Sequence, residues 1–295
     1  MAVASSSSSS PASSASDSRR SSRPRSTRSA SSSSSRCSSS CRSVTSAELS
    51  EDNGRALRWE ALRNARDLGG LPAAGHVVRR GAIVRSDALY MLKDAGRAAL
   101  VAHGIRTVID MRAQREVDAN SYAFDEASGV MRHHIPQQSE EMWAATRGLD
   151  RITSDVTMLD MAQSRFAQIA DAIASAPEGG VLIHCEVGKD RTGLMTMVLL
   201  DLVGAREDVI AADYALTASG LAGVFAELIA KAETDARRAR LQEEALCRAE
   251  VMLVIHRLFR KRTGGADAYL RAAGVSQASL DALRRRMLDG ASRTT

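Results

Sequence analysis

Nowhere in the 295-residue sequence do eighteen apolar residues follow one another, and that excludes a conventional membrane-spanning helix. Arg19-Arg20 is followed by serines rather than an apolar segment, so neither a secretory nor a twin-arginine signal fits. Cysteine is scarce as well: Cys37, Cys41, Cys185 and Cys247 are the whole supply. Four thiols make no disulfide framework for a chain of this size, and a reducing cytoplasm is the expected setting. No internal repeat is visible. Zinc-site spacing is missing too, since Cys37 and Cys41 lack a second pair of ligands. His133-His134 are neighbours on an expected strand and point to opposite faces, so they cannot readily share one ion. No metal or cofactor is expected.

Positive charge is scarcer than the totals suggest. The chain has 40 basic and 35 acidic residues, a net charge of +5, with a pI near 9.3. Residues 1–43 alone carry seven Arg and one Asp, which leaves 33 basic and 34 acidic residues for the remaining 252. The basicity therefore belongs to the tail, and a nucleic-acid binder loses its support. Those first 43 residues are mostly Ser with scattered Arg, too polar to offset the entropy of ordering, and are expected to be disordered. A tether, a start codon assigned too far upstream, and an anion-seeking or phosphorylated arm all fit that composition.

Beyond the tail the pattern alternates. Ala82-Ile83-Val84, Thr107-Val108-Ile109 and Val181-Leu182-Ile183 read as short buried strands, with Met131 to Ile135 a fourth. Asp94 looks like an N-cap for a helix over Ala95 to His103, with Gly104 as its stop. Met158 to Ala174 reads as one helical run, and Arg206 to Leu288 is helical almost throughout. This alternation predicts an α/β fold with a central, mostly parallel sheet flanked by helices. One domain over about residues 55–290 is expected, with a helical, lid-like insertion at about 137–175. His256 to Arg262 (HRLFRKR) reads as a basic amphipathic patch at a helix end, and Cys247 as a structural residue on a charged helix.

The most informative stretch is His184-Cys185-Glu186-Val187-Gly188-Lys189-Asp190-Arg191-Thr192-Gly193. A cysteine closes an apolar strand, an arginine follows six positions later, and Leu194 to Leu202 reads as a helix apolar on most sides. The loop between them wraps a helix N-terminus, where unpaired N–H groups and the positive end of the dipole gather anionic charge and favour a thiolate. Arg191 can grip two phosphate oxygens in a fork, and Thr192 can donate a hydrogen bond to the sulfur. Nucleophile, anion cradle and clamp thus come from one ten-residue segment at the carboxyl edge of the sheet, where open α/β folds bind ligands.

Cys-x5-Arg resembles the signature loop of cysteine-dependent tyrosine phosphatases and their dual-specificity relatives. The fuller HCxxGKDRTG is similar to that of a bacterial tyrosine phosphatase family with phosphoinositide-hydrolysing members. Asn64-Ala65-Arg66-Asp67-Leu68-Gly69-Gly70, Arg85-Ser86-Asp87-Ala88-Leu89 and Gly104-Ile105-Arg106-Thr107-Val108-Ile109-Asp110-Met111-Arg112 resemble further motifs of that family. So do Asp213-Tyr214-Ala215-Leu216 and the run from Tyr269, which extends the likeness from about Arg55 to Leu288.

The resemblance implies a metal-free phosphomonoesterase with Cys185 as nucleophile, a phosphocysteine intermediate and Arg191 as phosphate clamp. It also points to Asp190 as proton donor, with strand-end Asp110 the competitor; the bland reading of Asp110 is a carboxylate paired with Arg112 or Arg66. Glu186, Val187, Gly188 and Lys189 would line the bound phosphate, and Asp110 is counted with them as substrate-binding. The lysine implies tolerance of multiply phosphorylated headgroups, unless it is merely a solvated surface residue, whereas the carboxylate of Glu186 would repel extra phosphates. The expected substrate is a phosphotyrosine protein, or alternatively a phosphoinositide. A non-catalytic phosphate reader is disfavoured by the intact Cys/Asp/Arg/Thr set, and a rhodanese-type sulfurtransferase by the Gly-Lys-Asp-Arg-Thr run.

Overall fold

The computed structural model describes residues 53–289; the expectation of a disordered tail falls outside them. Seven strands occur there: β1 (Arg66–Asp67), β2 (Pro72–Ala73), β3 (His76–Val77), β4 (Ile83–Ser86), β5 (Ile105–Asp110), β6 (Met131–His134) and β7 (Gly180–His184). The helices are α1 (Asp94–Ala102), α2 (Gln114–Ala119), α3 (Glu140–Thr146), α4 (Arg151–Met161), α5 (Gln163–Ser175) and α6 (Asp190–Leu202). They continue as α7 (Glu207–Ala215), α8 (Thr217–Ala230), α9 (Asp235–Ala245), α10 (Ala249–Thr263), α11 (Ala266–Ala272) and α12 (Gln277–Met287).

The main sheet runs β1-β4-β7-β5-β6, parallel throughout except for the short edge strand β1, while β2 and β3 form a separate hairpin. The fold class is thus the α/β architecture read from the alternation of strands and helices. Period-two alternation divides the core between the two faces. Ile83, Ile109, Val181 and Ile183 join Phe166, Ile169 and most of α6 on one side. Val84, Val108 and Leu182 join Trp59, Leu89 and Leu100 on the other. β7 lies at the centre with all five residues buried, each aliphatic side chain contributing roughly 1.5–3 kcal/mol. α6 is buried from Thr192 to Leu202, in contact with β4, β7, α4, α7 and α11, which explains a helix apolar on nearly every side.

Several local expectations change. Asp94 lies inside the first turn of α1, and Lys93 occupies the cap position without a side-chain cap. The run from Met158 to Ala174 breaks at the fully buried Ala162, so α4 and α5 are two helices. α5 places Phe166, Ile169 and Ile173 in the core. Cys247 sits between α9 and α10 with φ of 41°, not on a helix. In the HRLFRKR stretch, His256 is buried against Asp201 at 2.8 Å, and Arg257, Arg260 and Arg262 pair with Glu207, Asp201 and Asp160. Glu207–Ala230 is long and apolar enough to cross a membrane by length and composition alone, a property that counting consecutive apolar residues overlooks. α7, its first half, contributes Val209, Ile210 and Tyr214 to the core and holds a buried carboxylate, Asp213, among three arginines.

Candidate active site

β7 delivers the signature loop. Its last residue, His184, lies in register between Ser86 of β4 and Asp110 of β5, and Cys185 follows at the carboxyl edge, 1% exposed. The His184 ring is fixed at both nitrogens, with Nδ1 2.9 Å from the Cys185 carbonyl and Nε2 2.5 Å from the Tyr122 hydroxyl. A carbonyl only accepts, so Nδ1 carries the proton and Nε2 accepts from the tyrosine. Burial pushes this imidazole down to about 4, against the pull of Asp110, so it is neutral near pH 7.

The loop's carbonyls are tied backward. Glu186 O accepts from Ala88 N–H at 3.0 Å, and Val187 O from Asn64 Nδ2 at 3.1 Å. Gly188 O accepts from both Asn64 Nδ2 at 3.0 Å and Arg85 Nη2 at 2.8 Å. In a planar trans peptide the N–H points opposite to the C=O. Tying back three successive carbonyls therefore turns the N–H groups of Val187, Gly188 and Lys189 to the other side. None of these three finds an acceptor among the described residues, which makes them donors for an anion. Gly188 has φ of +67°, and a Cβ there would lie 2.4 Å from the Ser86 carbonyl oxygen; only glycine fits.

The brace is itself braced. Asp213 is contacted by Arg55 at 2.8 Å, Arg66 at 3.2 Å and Arg85 at 2.7 Å, all four groups buried. Arg66 also donates to Asn64 Oδ1 at 2.6 Å, which orients the amide that holds the loop. The Asn64, Arg66, Arg85 and Asp213 motifs, far apart in sequence, thus converge behind one turn of backbone. Burial works to raise Asp213, but the three guanidiniums hold it far below the usual carboxylate range.

The front of the loop is arranged differently. Arg191 uses both terminal nitrogens on Glu116, at 2.5 and 2.7 Å, and Glu116 Oε2 also accepts the Ala113 N–H at 2.7 Å. Asp190 lies 2.7 Å from Arg151 and 3.3 Å from Lys189. Burial would raise this carboxyl, but those two cations hold it below the ordinary range. Arg151 also forks onto Asp155 at 2.7–2.9 Å, and burial pushes Asp155 upward despite the arginine. Lys189 is only 3% exposed and lies over the Phe225 ring of α8 at 5.6 Å, so it is not a solvated surface lysine. At the rim, Glu186 accepts from the Tyr90 hydroxyl at 3.0 Å and lies 3.7 Å from Arg112, and Val187 is exposed. The Thr192 hydroxyl is buried with no hydrogen-bond partner among the described residues.

Asp110 is fully buried and both its oxygens are occupied. Arg112 donates at 2.9–3.3 Å and Arg132 at 2.7 Å. It belongs to the wall beside His184, paired with Arg112 and Arg132 rather than Arg66. His134 spends Nε2 on the Arg112 carbonyl at 2.9 Å. Of the segment expected to border the site, Arg151 reaches Asp190, while α5 lies in the core. Sequence reasoning missed Glu116, Arg151 and Phe225. None of the three had a clear local signal: Glu116 lies three residues after the cap position, but Ala113 there is not a capping residue.

The tyrosine phosphatase family model matches residues 57–289. The chain is 32% identical over 222 residues to a tyrosine-protein phosphatase of Nostoc commune, covering 70% of this chain and 74% of that protein. It is 28% identical over 266 residues to the triple specificity protein phosphatase PtpB of Mycobacterium tuberculosis, covering 75% and 95% respectively. A putative tyrosine-protein phosphatase of Cupriavidus necator is also 28% identical, over 238 residues, or 76% of this chain and 81% of that one. With the family model spanning nearly all of the described residues, the chain belongs to the tyrosine phosphatase family and is a protein-tyrosine phosphatase.

Proposed function

We propose that residues 55–290 form one catalytic domain that hydrolyses phosphotyrosine through a phosphocysteine intermediate. The observation that carries this reading is the set of three acceptor-free N–H groups that follow Cys185 and are turned away from the tied-back carbonyls. The dianionic phosphate rests on these donors. Arg191, held at its Nη1–Nη2 edge by Glu116, offers its Nε–Nη2 edge to two equatorial oxygens. Cys185 Sγ attacks phosphorus as the bond to the leaving oxygen breaks, and the Thr192 hydroxyl donates to the sulfur. Water then cleaves the S–P bond, releasing inorganic phosphate and regenerating the thiolate.

Asp190 supplies the proton to the leaving oxygen. Asp110 has no free oxygen and no exposure, so the choice between the two rests on geometry. In the free enzyme Arg151 and Lys189 keep Asp190 ionised. An incoming phosphate adds negative charge beside it and raises its proton affinity, so Asp190 takes up a proton from solvent as the substrate binds. It gives that proton to the leaving oxygen and takes one back from the attacking water in the second step.

A phosphoinositide is the weaker reading. Lys189 already faces Asp190, and Glu186 places a carboxylate at the rim, so spare positive charge for extra phosphates is small. The name of the Mycobacterium relative, a triple specificity protein phosphatase, keeps more than one substrate class in the comparison, so phosphotyrosine, phosphoserine and phosphothreonine peptides belong in the test. The test is initial-rate hydrolysis of para-nitrophenyl phosphate, the three phosphopeptides and a phosphoinositide panel by wild type and Cys185→Ser, with EDTA and reductant present. Turnover that prefers the phosphotyrosine peptide and vanishes in the variant is expected. Activity retained by Cys185→Ser, or a preference for lipid headgroups, would overturn the reading.

A further inference from the structure

At the opposite edge of the sheet from Cys185 lies a cavity of about 630 Å³. Its floor is formed by Gly81 and Gly180, where β4 and β7 begin, and β7 separates it from the signature loop by roughly 13 Å of strand. Four arginines line it, Arg79, Arg80, Arg285 and Arg286, against one carboxylate, Glu178. This concentration is local, because the chain beyond residue 43 carries 33 basic and 34 acidic residues.

Little of that charge is neutralised. Arg79 pairs with Asp289 at 3.3 Å, with both side chains largely exposed. Among the described residues, Arg80 donates only to the carbonyls of Asn53 and Gly54, and Arg286 only to those of Ala176, Pro177 and Gly179. The Arg285 guanidinium has neither an acceptor nor a carboxylate partner among the described residues. Burial, together with the charge of Arg79, makes the Arg286 cation harder to hold, and an anion in the cavity would relieve it. The basic end of α12 suits that helix's own dipole, but the dipole does not account for Arg79 and Arg80, which come from the loop before β4 and face the same space.

We propose that this cavity is a second, non-catalytic anion site for a compact, multiply phosphorylated ligand. Its volume is that of a small-molecule pocket, and guanidinium forks match phosphate oxygens. The remaining walls are alanines and glycines, with His103, already 3.5 Å from Asp67, the single ring. His103 is the one ring offered to a nucleobase and the guanidiniums are engaged by the phosphates, so inorganic polyphosphate and cyclitol polyphosphates fit better than nucleotides.

Inorganic tripolyphosphate titrated calorimetrically into the full chain, its catalytic loop first filled with orthovanadate, tests this. One binding event is expected, weakening with salt and losing at least about tenfold in affinity in Arg285→Glu. Turnover of para-nitrophenyl phosphate by that variant should equal wild type, and Arg80→Ala should weaken binding in the same direction. Absence of binding, or equal affinity in both variants, overturns the site. Phosphatidylcholine vesicles carrying a doubly phosphorylated phosphoinositide separate the sources. Capture that Arg285→Glu abolishes assigns the site to a lipid headgroup, and no capture with tripolyphosphate still bound assigns it to free polyphosphate. ATP binding more tightly than tripolyphosphate would overturn the exclusion of nucleotides.

Discussion

The signature loop has two sides, and they are held by different physics. Behind it, Arg55, Arg66 and Arg85 share the single buried carboxylate of Asp213, and Asn64 and Arg85 grip the loop's carbonyls. Three cations face one anion there. The excess is met by the carbonyls of Asp67, Asp213 and Gly188, and burial still lowers Arg66 to about 10. In front, Arg191 pairs with Glu116, and Arg151 is shared between Asp190 and the buried Asp155, with Lys189 beside Asp190; Arg191, Glu116, Arg151 and Asp190 are each partly open to solvent. A buried network that cannot exchange partners fixes backbone geometry, whereas accessible pairs can be rearranged by a phosphate. The back should therefore fail as instability and the front as lost rate.

The largest effect lies at the front. Cys185→Ser should lower turnover by roughly 10⁴-fold or more while urea unfolding stays near wild type, and a comparable loss of stability would erase the division. At the back, Asp213→Asn strands three buried guanidiniums and should cost about 3–5 kcal/mol in urea unfolding. If that variant unfolded at the wild-type midpoint yet lost activity, the network would be catalytic rather than structural.

His184, bonded to the Cys185 carbonyl, gives a pH test. Its folded value is lowered from 6.5 to about 4. Between those values the unfolded chain binds the proton and the folded one does not, so His184 makes stability fall as pH drops through that window, by about 3 kcal/mol in all. Asp155, shifted upward by burial, contributes the opposite slope. The informative quantity is thus wild type minus His184→Gln, measured by urea unfolding at several pH values. A flat difference would mean that the imidazole is not held neutral.

The strands and the loop could be read because their signals are local. Val181-Leu182-Ile183 is a short branched run, and Cys185 to Arg191 is contiguous. Gly188 was legible as part of the loop, but the contact that demands glycine, the Ser86 carbonyl, comes from another strand. The motifs around Asn64, Arg85 and Asp213 were visible as resemblances, yet their common purpose appears only once three segments meet at the loop's back. Arg151 and Phe225 carry no local pattern; their roles arise from α4 and α8 packing over the loop. Asp94 misled because an acidic residue suits both a cap and a first turn. The run from Met158 misled because helical periodicity continues unbroken through the kink at Ala162.

The smallest effect is at Glu116, and it sharpens the comparison most. This carboxylate is held below its ordinary 4.5 because Arg191 overcomes the cost of burial. Its stabilising contribution is therefore present above pH 4.5 and lost as pH falls through the lower folded value. Glu116→Gln keeps the size and one acceptor but removes the charge that holds the guanidinium plane. A charge-assisted pair of this kind is worth about 1.5–3 kcal/mol, so kcat/KM for para-nitrophenyl phosphate should fall by roughly 10- to 140-fold. The loss should appear in kcat, since the clamp matters most as charge spreads over the equatorial oxygens in the transition state. If Glu116 instead competes with phosphate for Arg191, the same variant would bind inorganic phosphate more tightly and lower KM. The direction of the KM change therefore decides whether the front pair positions the arginine or blocks it.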